Sequence, residues 1–193
     1  MSDSQESGFI PAQDAPADDD ELLDLLQPII AGIGGWLVPG NVRPQWQNKE
    51  VPNNPQFEED WCSFGIKNFR EDTYQFEENN AQGDGVNVFE YSEEFDVLIS
   101  TYGPRSSQYV RNLRDGFRLE QNRAPLQALK IDTLYVNDQV VLPALLHGTW
   151  VRRVDVSIVM RRYVSRRYAI KTIQSASAGL DNEQYVTSIG VGP

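Results

Sequence analysis

The feature that most constrains the fold is an alternating stretch, GTWVRRVDVSIVM, at residues 148–160. Apolar side chains at alternate positions define one face, with Arg152 and Val151 as exceptions near the start: Trp150, Val154, Val156, Ile158 and Met160. Polar side chains define the other face: Arg153, Asp155, Ser157 and Arg161. Such alternation is typical of a half-buried strand with one face on a core and the other in water. The chain is therefore predicted to be organised around a sheet.

Two earlier segments are predicted to pack with this strand. The first is a second alternating strand, formed by Phe95, Val97, Ile99 and Thr101. The second is an amphipathic helix after Gly103, capped by Ser106 or Ser107, with apolar positions three and four residues apart. Those apolar positions are Tyr109, Val110, Leu113 and Phe117. The arginines of the same segment are predicted to stay in water: Arg111, Arg114 and Arg118.

The fold class that follows is α+β. We predict an antiparallel β-sheet with one principal amphipathic helix on one face, a short N-terminal helix and an extended proline-rich arm. The short helix is expected to kink or break at Pro28. Residues 20–193 are predicted to form a single domain, which includes a sheet-free arm at 36–60. The acidic residues 1–19 are predicted to be a disordered tail.

Charge is segregated along the chain. The first 30 residues carry eight acids and no base, and residues 50–96 carry thirteen acids against two bases. Residues 152–171 reverse the balance, with six arginines and one lysine against one acid. An acidic front and a basic back indicate recognition of further copies of the chain or of a charged neighbour. The net charge of −11 disfavours a general nucleic-acid-binding protein.

Catalytic and metal-binding patterns are sparse. His147 is the only histidine and Cys62 the only cysteine, so a cysteine–histidine pair or a histidine-based zinc site would depend on these two alone. We interpret His147 as a loop or structural residue and Cys62 as a small buried hydrophobe. The adjacent acids Glu58, Glu59 and Asp60 are interpreted as solvated surface, because calcium loops space their ligands. No catalytic site, metal or cofactor is predicted.

The most informative surface is the basic segment RRYVSRRY at residues 161–168. It is predicted to turn back on the principal strand as a hairpin around Ser165. Arginines interleaved with tyrosines are enriched at protein interfaces, whereas the alternative is an ordinary solvated sheet face. A nucleic-acid groove competes poorly with the overall acidity. The residues predicted to contact a protein partner are Arg161, Arg162, Arg166, Arg167, Tyr163, Tyr168 and Trp46.

Several short stretches, taken in their order and spacing, carry a resemblance to a known family. They are VRPQWQ at 42–47, Pro52 and Pro55, WCSFGI at 61–66, YGP at 102–104, NRAPL at 122–126, Leu142-Pro143, WVRRVD at 150–155, RRY at 161–163 and RYAIKTI at 167–173. Together they resemble tailed-bacteriophage neck or tail terminator (tail completion) proteins over residues 36–175.

The resemblance implies a structural virion protein of the neck and tail, assembled in the host cytoplasm and without enzymatic activity. Such proteins form a ring, usually of six subunits, that ends the tail tube and joins it to the head connector. The implied partners are further copies of the chain, the tail tube protein, connector or neck proteins and, in contractile tails, the sheath. Genomic DNA would pass through the lumen without specific binding, and no membrane is involved.

Other classes of function remain as alternatives. A head-completion or adaptor protein of the same neck would also form a ring, but such proteins are typically helix-rich and often twelvefold. The strand-rich sequence favours the terminator. A small enzyme would need polar groups that converge in a pocket, and Cys62 and His147 are too few for that. Counting the subunits in a top view of the particle separates the two kinds of ring.

Overall fold

The computed structural model describes residues 9–14, 16–36, 40–45, 58–71, 76–79, 86–146, 148–170, 177–182 and 185–190. The chain divides into two compact units. The larger unit comprises residues 16–75 and 91–164, and the smaller unit comprises residues 1–15, 76–90 and 165–193.

In chain order the elements are α1 Asp19–Gly34, β1 Val42–Pro44, β2 Trp61–Glu71, β3 Phe76–Asn79, β4 Asn87–Tyr102, α2 Ser106–Gly116, α3 Glu120–Ala128, β5 Ile131–Val136, β6 Val140–Leu146, β7 Thr149–Tyr168, β8 Ser177–Asn182 and β9 Tyr185–Gly190. Seven strands belong to one sheet of order β1-β2-β4-β7-β5, in which β3 pairs with β4 and β6 with β7. All its pairings with a described register are antiparallel except that of β1 with β2. The predicted α+β fold is confirmed.

One face of the sheet in the larger unit carries the core. Along β7 every second side chain from Val154 to Met160 is at most 1% exposed, as the alternation predicts. Trp150 does not belong to this core, because it is 70% exposed and pairs with Leu145 of β6, before the covered part of the strand. The opposite face is not simply wet, since Val159 is 2% exposed.

The three helices contribute to the same core. Their buried positions recur at the spacing of one helix face and are Leu22, Leu26 and Ile30 in α1, Val110 and Leu113 in α2, and Leu126 in α3. Buried side chains of β2, β4, β5 and β7 complete the cluster. The predicted helix after Gly103 is therefore one of three helices on this face.

The N-terminal helix is longer and more regular than the sequence predicts. α1 has 16 residues and continues through Pro28 as a single helix. Pro28 is exposed, whereas Leu26 and Ile30 on either side of it are completely buried. Burial of the apolar stripe on both sides outweighs the one backbone hydrogen bond that proline lacks. The helix ends at Gly34, and Gly35 follows with a φ of 78°.

The predicted sheet-free arm contains one strand. β1 pairs in parallel with β2, with Val42 opposite Cys62. The Gln27 side chain of α1 donates a hydrogen bond to the Val42 carbonyl at 2.7 Å. The prediction was wrong here, because Pro44 at the end of a short edge strand still permits pairing on the side toward β2. Residues 46–57, including Trp46, lie outside the described residues.

The start of α2 depends on a distant carboxylate instead of a serine cap. Ser106 is the first helical residue and is buried, and neither predicted serine caps the helix. The Asp60 carboxylate accepts hydrogen bonds from the Arg105 backbone N–H and from Arg105 Nε, both at 2.7 Å. Asp60 is only 8% exposed, so its interpretation as solvated surface was wrong. Gly103 permits this approach, because a Cβ there would lie 2.7 Å from Asp60 Oδ1.

The basic segment is not a hairpin. β7 extends from Thr149 to Tyr168, and residues 164–168 are strand residues with no turn at Ser165. The predicted reversal was wrong because the segment contains no glycine, proline or asparagine at which a tight turn would form.

The smaller unit contains β3, the first residues of β4, the last residues of β7, and the β8–β9 pair. Asn79 lies opposite Asn87, so β3 and β4 form a hairpin, an arrangement left open by the sequence. The Gln13 backbone N–H donates to the Arg167 carbonyl at 2.8 Å. The single domain at 20–193 and the disorder of residues 1–19 in isolation both stay predictions.

Candidate partner interface

Three consecutive residues near the end of β7 in the larger unit face in alternating directions. Arg162 follows Met160 on the core side of the strand and is 6% exposed. Arg161 and Tyr163 lie on the opposite side and are exposed. The period of two that organises the apolar face thus places one arginine of the basic segment inside the protein.

Arg162 is held by three groups of its own chain. Its Nε donates to Glu93 Oε2, its Nη1 to the Ala17 carbonyl and its Nη2 to Asp18 Oδ1, each at 2.6 Å. Its guanidinium also lies 5.4 Å from the centre of the Phe69 ring, at cation–π distance. Because Ala17 and Asp18 immediately precede α1, Arg162 joins the start of that helix to strands β4 and β7.

Arg161 belongs to a row of ion pairs on the other side of the sheet. Its Nη2 lies 2.6 Å from Glu94 Oε1, and Arg70 contacts Asp96 through both Nη atoms at 2.7 and 3.0 Å. The hydrogen bond from Arg70 holds the pKa of Asp96 below its ordinary value, and a hydrogen bond from Asn68 acts in the same direction. Asp96 therefore stays ionised and paired with Arg70 at neutral pH.

Tyr163 is an exposed aromatic residue with the cation of Lys130 over its ring. The Lys130 ammonium lies 5.3 Å from the centre of the Tyr163 ring, and the residue is 40% exposed. Its backbone N–H donates to the Lys130 carbonyl at 3.2 Å. Tyr163 thus presents a positioned aromatic ring next to the exposed Arg161.

The remaining predicted contact residues lie in the smaller unit or outside the described part of the chain. Arg167 approaches Asp14, with 3.7 Å between Arg167 Nε and Asp14 Oδ2, and its side chain is 62% exposed. Tyr168 makes an edge contact with Phe89 at 5.2 Å between ring centres. Arg166 is half-buried. The structure thus distributes the four arginines over different surroundings, and their contact with a partner protein stays a prediction.

A second candidate interface, which the sequence did not single out, is the ribbon formed by β6 and residues 149–155 of β7. Leu145 and Trp150 lie directly opposite each other, and their exposed fractions are 57% and 70%. Val141 is exposed on the same face of β6 as Leu145, and Val140 and Leu142 are exposed on the other face. We call this the apolar ribbon. Large apolar side chains exposed close together on a soluble protein indicate a binding surface.

One sequence signal was available for the apolar ribbon. The segment VVLPALL at residues 140–146 lacks the alternation of a half-buried strand, and Pro143 is typical of an edge. An apolar edge strand has either a buried or an exposed outer surface, and periodicity alone does not distinguish the two.

The described residues offer little reactive chemistry. Cys62 is completely buried, and burial raises the pKa of its thiol. Within the described ranges, no group of three or more His, Cys, Asp or Glu side chains is arranged to hold a metal ion. No described helix is long and apolar enough to span a membrane. His147 lies outside the described residues.

Comparison with known proteins gives one family. The family model described as phage neck terminator protein matches residues 20–184, which confirms the resemblance seen in the sequence and extends it to include α1. A search of curated proteins found no match. With the match covering most of the chain, including α1, the core strands and both candidate interfaces, the protein belongs to the phage neck terminator family.

Proposed function

We propose that the protein forms a ring of six subunits at the head-proximal end of the tail tube, where it terminates the tail and joins it to the head connector. As a phage neck terminator protein it is a structural component of the neck and tail, not an enzyme. The proposed neighbours are further copies of the chain, the tail tube protein and the connector. Genomic DNA passes through the lumen without specific binding.

The apolar ribbon is the observation that carries the proposal. Trp150 at 70% and Leu145 at 57% exposure leave large apolar side chains in water in the isolated chain. Burial of these side chains against a neighbouring protein would remove apolar surface from water, which is favourable. Aromatic anchors of this kind dominate the energetics of many interfaces. A protein that joins two assemblies needs such a surface in addition to its contacts with copies of itself.

The basic segment supplies a second, polar part of the proposed contact. Arg161 and Arg167 keep 48% and 62% of their side-chain surface exposed, so both can donate hydrogen bonds to a carboxylate of a partner. Tyr163 next to Arg161 offers apolar area. We assign these residues to protein, not DNA, because the chain as a whole is acidic.

The test combines imaging with a variant of the apolar ribbon. A reconstruction of the phage neck should show six copies of the chain in one ring, whereas twelve copies would favour a head-completion adaptor. The double variant Leu145→Ser/Trp150→Ser should fold, because both side chains are exposed, yet leave free tails and DNA-filled heads in the lysate. The control is Leu119→Ser/Leu129→Ser, which removes two exposed leucines elsewhere (59% and 40% exposed). Normal particle yield from the ribbon variant would contradict the proposal.

A further inference from the structure

The outer face of α1 is an acidic surface whose exposed carboxylates have no partner among the residues that the structure describes. The helix contains four acids and no base. Asp20, Glu21 and Asp24 are exposed, and in the described part of the chain none of the three has an ion pair or hydrogen-bond partner for its side chain. The apolar stripe of α1 faces the core, so these carboxylates point away from the sheet.

The outer face of α2 has the opposite charge. Arg111 and Arg114 lie on α2, and Arg118 follows two residues after its end. We call these three residues the arginine stripe. Among the described residues, the only carboxylate within ion-pair distance of them is Asp115, 64% exposed, at 3.4 Å from Arg114 Nε and 3.8 Å from Arg118 Nη1. Arg111 has no partner among the described residues.

The two surfaces do not neutralise each other within one chain, although α1 and α2 pack together. Their apolar sides meet in the core, and their charged sides are left for a neighbour. We propose that Asp20, Glu21 and Asp24 of one copy dock on the arginine stripe of the next copy. This contact joins two different surfaces, so it is a head-to-tail contact of the type that closes into a ring.

This inference rests on the proposed ring and specifies one of its subunit contacts. Carboxylates meeting guanidiniums favour one register over others and disfavour approach of like surfaces. Each such pair is exposed at the rim of a contact, so the charges mainly select the partner surface, and apolar contacts supply affinity. A phosphate backbone is the competing ligand for an arginine stripe, and it makes a different prediction for the acidic face.

The experiment uses two charge-reversed chains. Variant A is Arg111→Glu/Arg118→Glu and variant B is Glu21→Lys/Asp24→Lys. Each is supplied to a phage whose own copy of the gene is inactive, alone or with the other. In a ring of A alone acids meet acids, and in a ring of B alone bases meet bases. In an alternating ring of A and B, every contact again joins opposite charges.

We expect A alone and B alone to lower the yield of infectious particles by about tenfold or more, since like-charge contacts cost more than one tenfold step in affinity. Supplying A and B together should restore the yield. The control is Glu58→Lys/Glu59→Lys, which reverses two exposed acids elsewhere and should behave like the unmodified chain. The melting temperatures of A and B identify any loss of folding.

Three results would overturn the inference. The first is normal yield from A or B alone. The second is loss of yield with A but not with B, which would assign the arginine stripe to DNA or to another partner. The third is failure of folded A and B to restore each other. The reconstruction of the neck tests the sixfold ring independently of these three results. Failure of this contact is therefore distinguishable from failure of the proposed function.

Discussion

Arg161 and Arg162 are neighbours in the sequence but occupy opposite environments. Arg161 keeps 48% of its side-chain surface exposed and meets one carboxylate. Arg162 is almost completely buried, and its guanidinium contacts Glu93, Asp18 and the Ala17 carbonyl. A buried guanidinium is tolerated only when its hydrogen bonds are satisfied. The contribution of each arginine to stability is therefore set by the face of the strand on which it lies.

This contrast gives a stability prediction. Arg162→Ala should lower the free energy of unfolding by about 3–5 kcal/mol, because it leaves the buried Glu93 without its partner. Arg161→Ala should cost about 0–1 kcal/mol, since its ion pair is exposed. Urea denaturation of the two variants measures both values. The double variant Arg162→Met/Glu93→Gln should recover part of the loss, and equal costs for the two alanine variants would contradict the assignment.

The pair of Asp96 with Arg70 predicts how stability depends on pH. The Arg70 hydrogen bond lowers its pKa in the folded protein. The contribution of this pair to the free energy of unfolding is fully present above the unfolded pKa of Asp, about 3.9. It is lost as the pH falls through the lower pKa of Asp96 in the folded protein. Asp96→Asn should therefore lower the urea midpoint at neutral pH, and the difference from the unmodified protein should shrink in acid below this range. A difference that is the same at both pH values would refute the role of this pair.

At the scale of elements, the contact of α1 with α2 depends on one glycine. A Cβ on Gly116 would lie 2.4 Å from Ile33 Cγ2, so the two helices approach closely at this point. The side chain of Ile33 in α1 thus occupies the space beside Gly116. Gly32 in α1 is a useful comparison, because a Cβ there would meet nothing within 4 Å.

Gly116→Ala should destabilise the protein although alanine favours a helix by about 1 kcal/mol. The added methyl group must displace Ile33, and overpacking of this kind costs about 1–3 kcal/mol. Gly32→Ala should instead gain up to about 1 kcal/mol. Thermal unfolding compares the two variants. The double variant Gly116→Ala/Ile33→Ala tests whether removing the Ile33 side chain relieves the overpacking. A stabilised Gly116→Ala protein would show that the helices move apart at little cost.

At the scale of the whole molecule, the chain offers surfaces of different chemistry to its neighbours. The apolar ribbon, the acidic face of α1, the arginine stripe and the exposed arginines of β7 are candidates for separate contacts. In the proposed ring, the chain would meet further copies of itself, the tail tube and the head connector. We therefore expect variants of different surfaces to fail at different stages of assembly.

Arg166→Glu/Arg167→Glu tests one of these stages. Loss of the Arg167 ion pair should cost little stability, because its described partner is an exposed Asp14 at 3.7 Å and such pairs contribute about 0–1 kcal/mol. Arg166 is half-buried, so the melting temperature of the variant checks its folding. Free tails and DNA-filled heads should then accumulate in the lysate, counted by electron microscopy. Lys67→Glu, at an exposed position of β2, is the control for charge reversal. Infectious particles at the normal level would show that these arginines are not needed for joining.

The sequence by itself determined the features that depend on near neighbours. The alternation from Val154 to Met160, the helix after Gly103, the α+β class and the family were all predictable, because side-chain period and turn residues act over a few positions. The burial of Cys62 was also predicted. The expected kink or break at Pro28 did not occur, because burial of the helix by other elements outweighed the local preference of proline to interrupt it.

Only the tertiary structure decided the contacts between distant parts of the chain. Arg162 meets Glu93 across 69 positions and Arg105 meets Asp60 across 45. No sequence period or motif predicts either pairing, because each depends on which strands become neighbours and in what register. The same applies to the apolar ribbon. Whether an apolar strand is covered depends on what packs beside it, and in this chain Trp150 and Leu145 remain exposed.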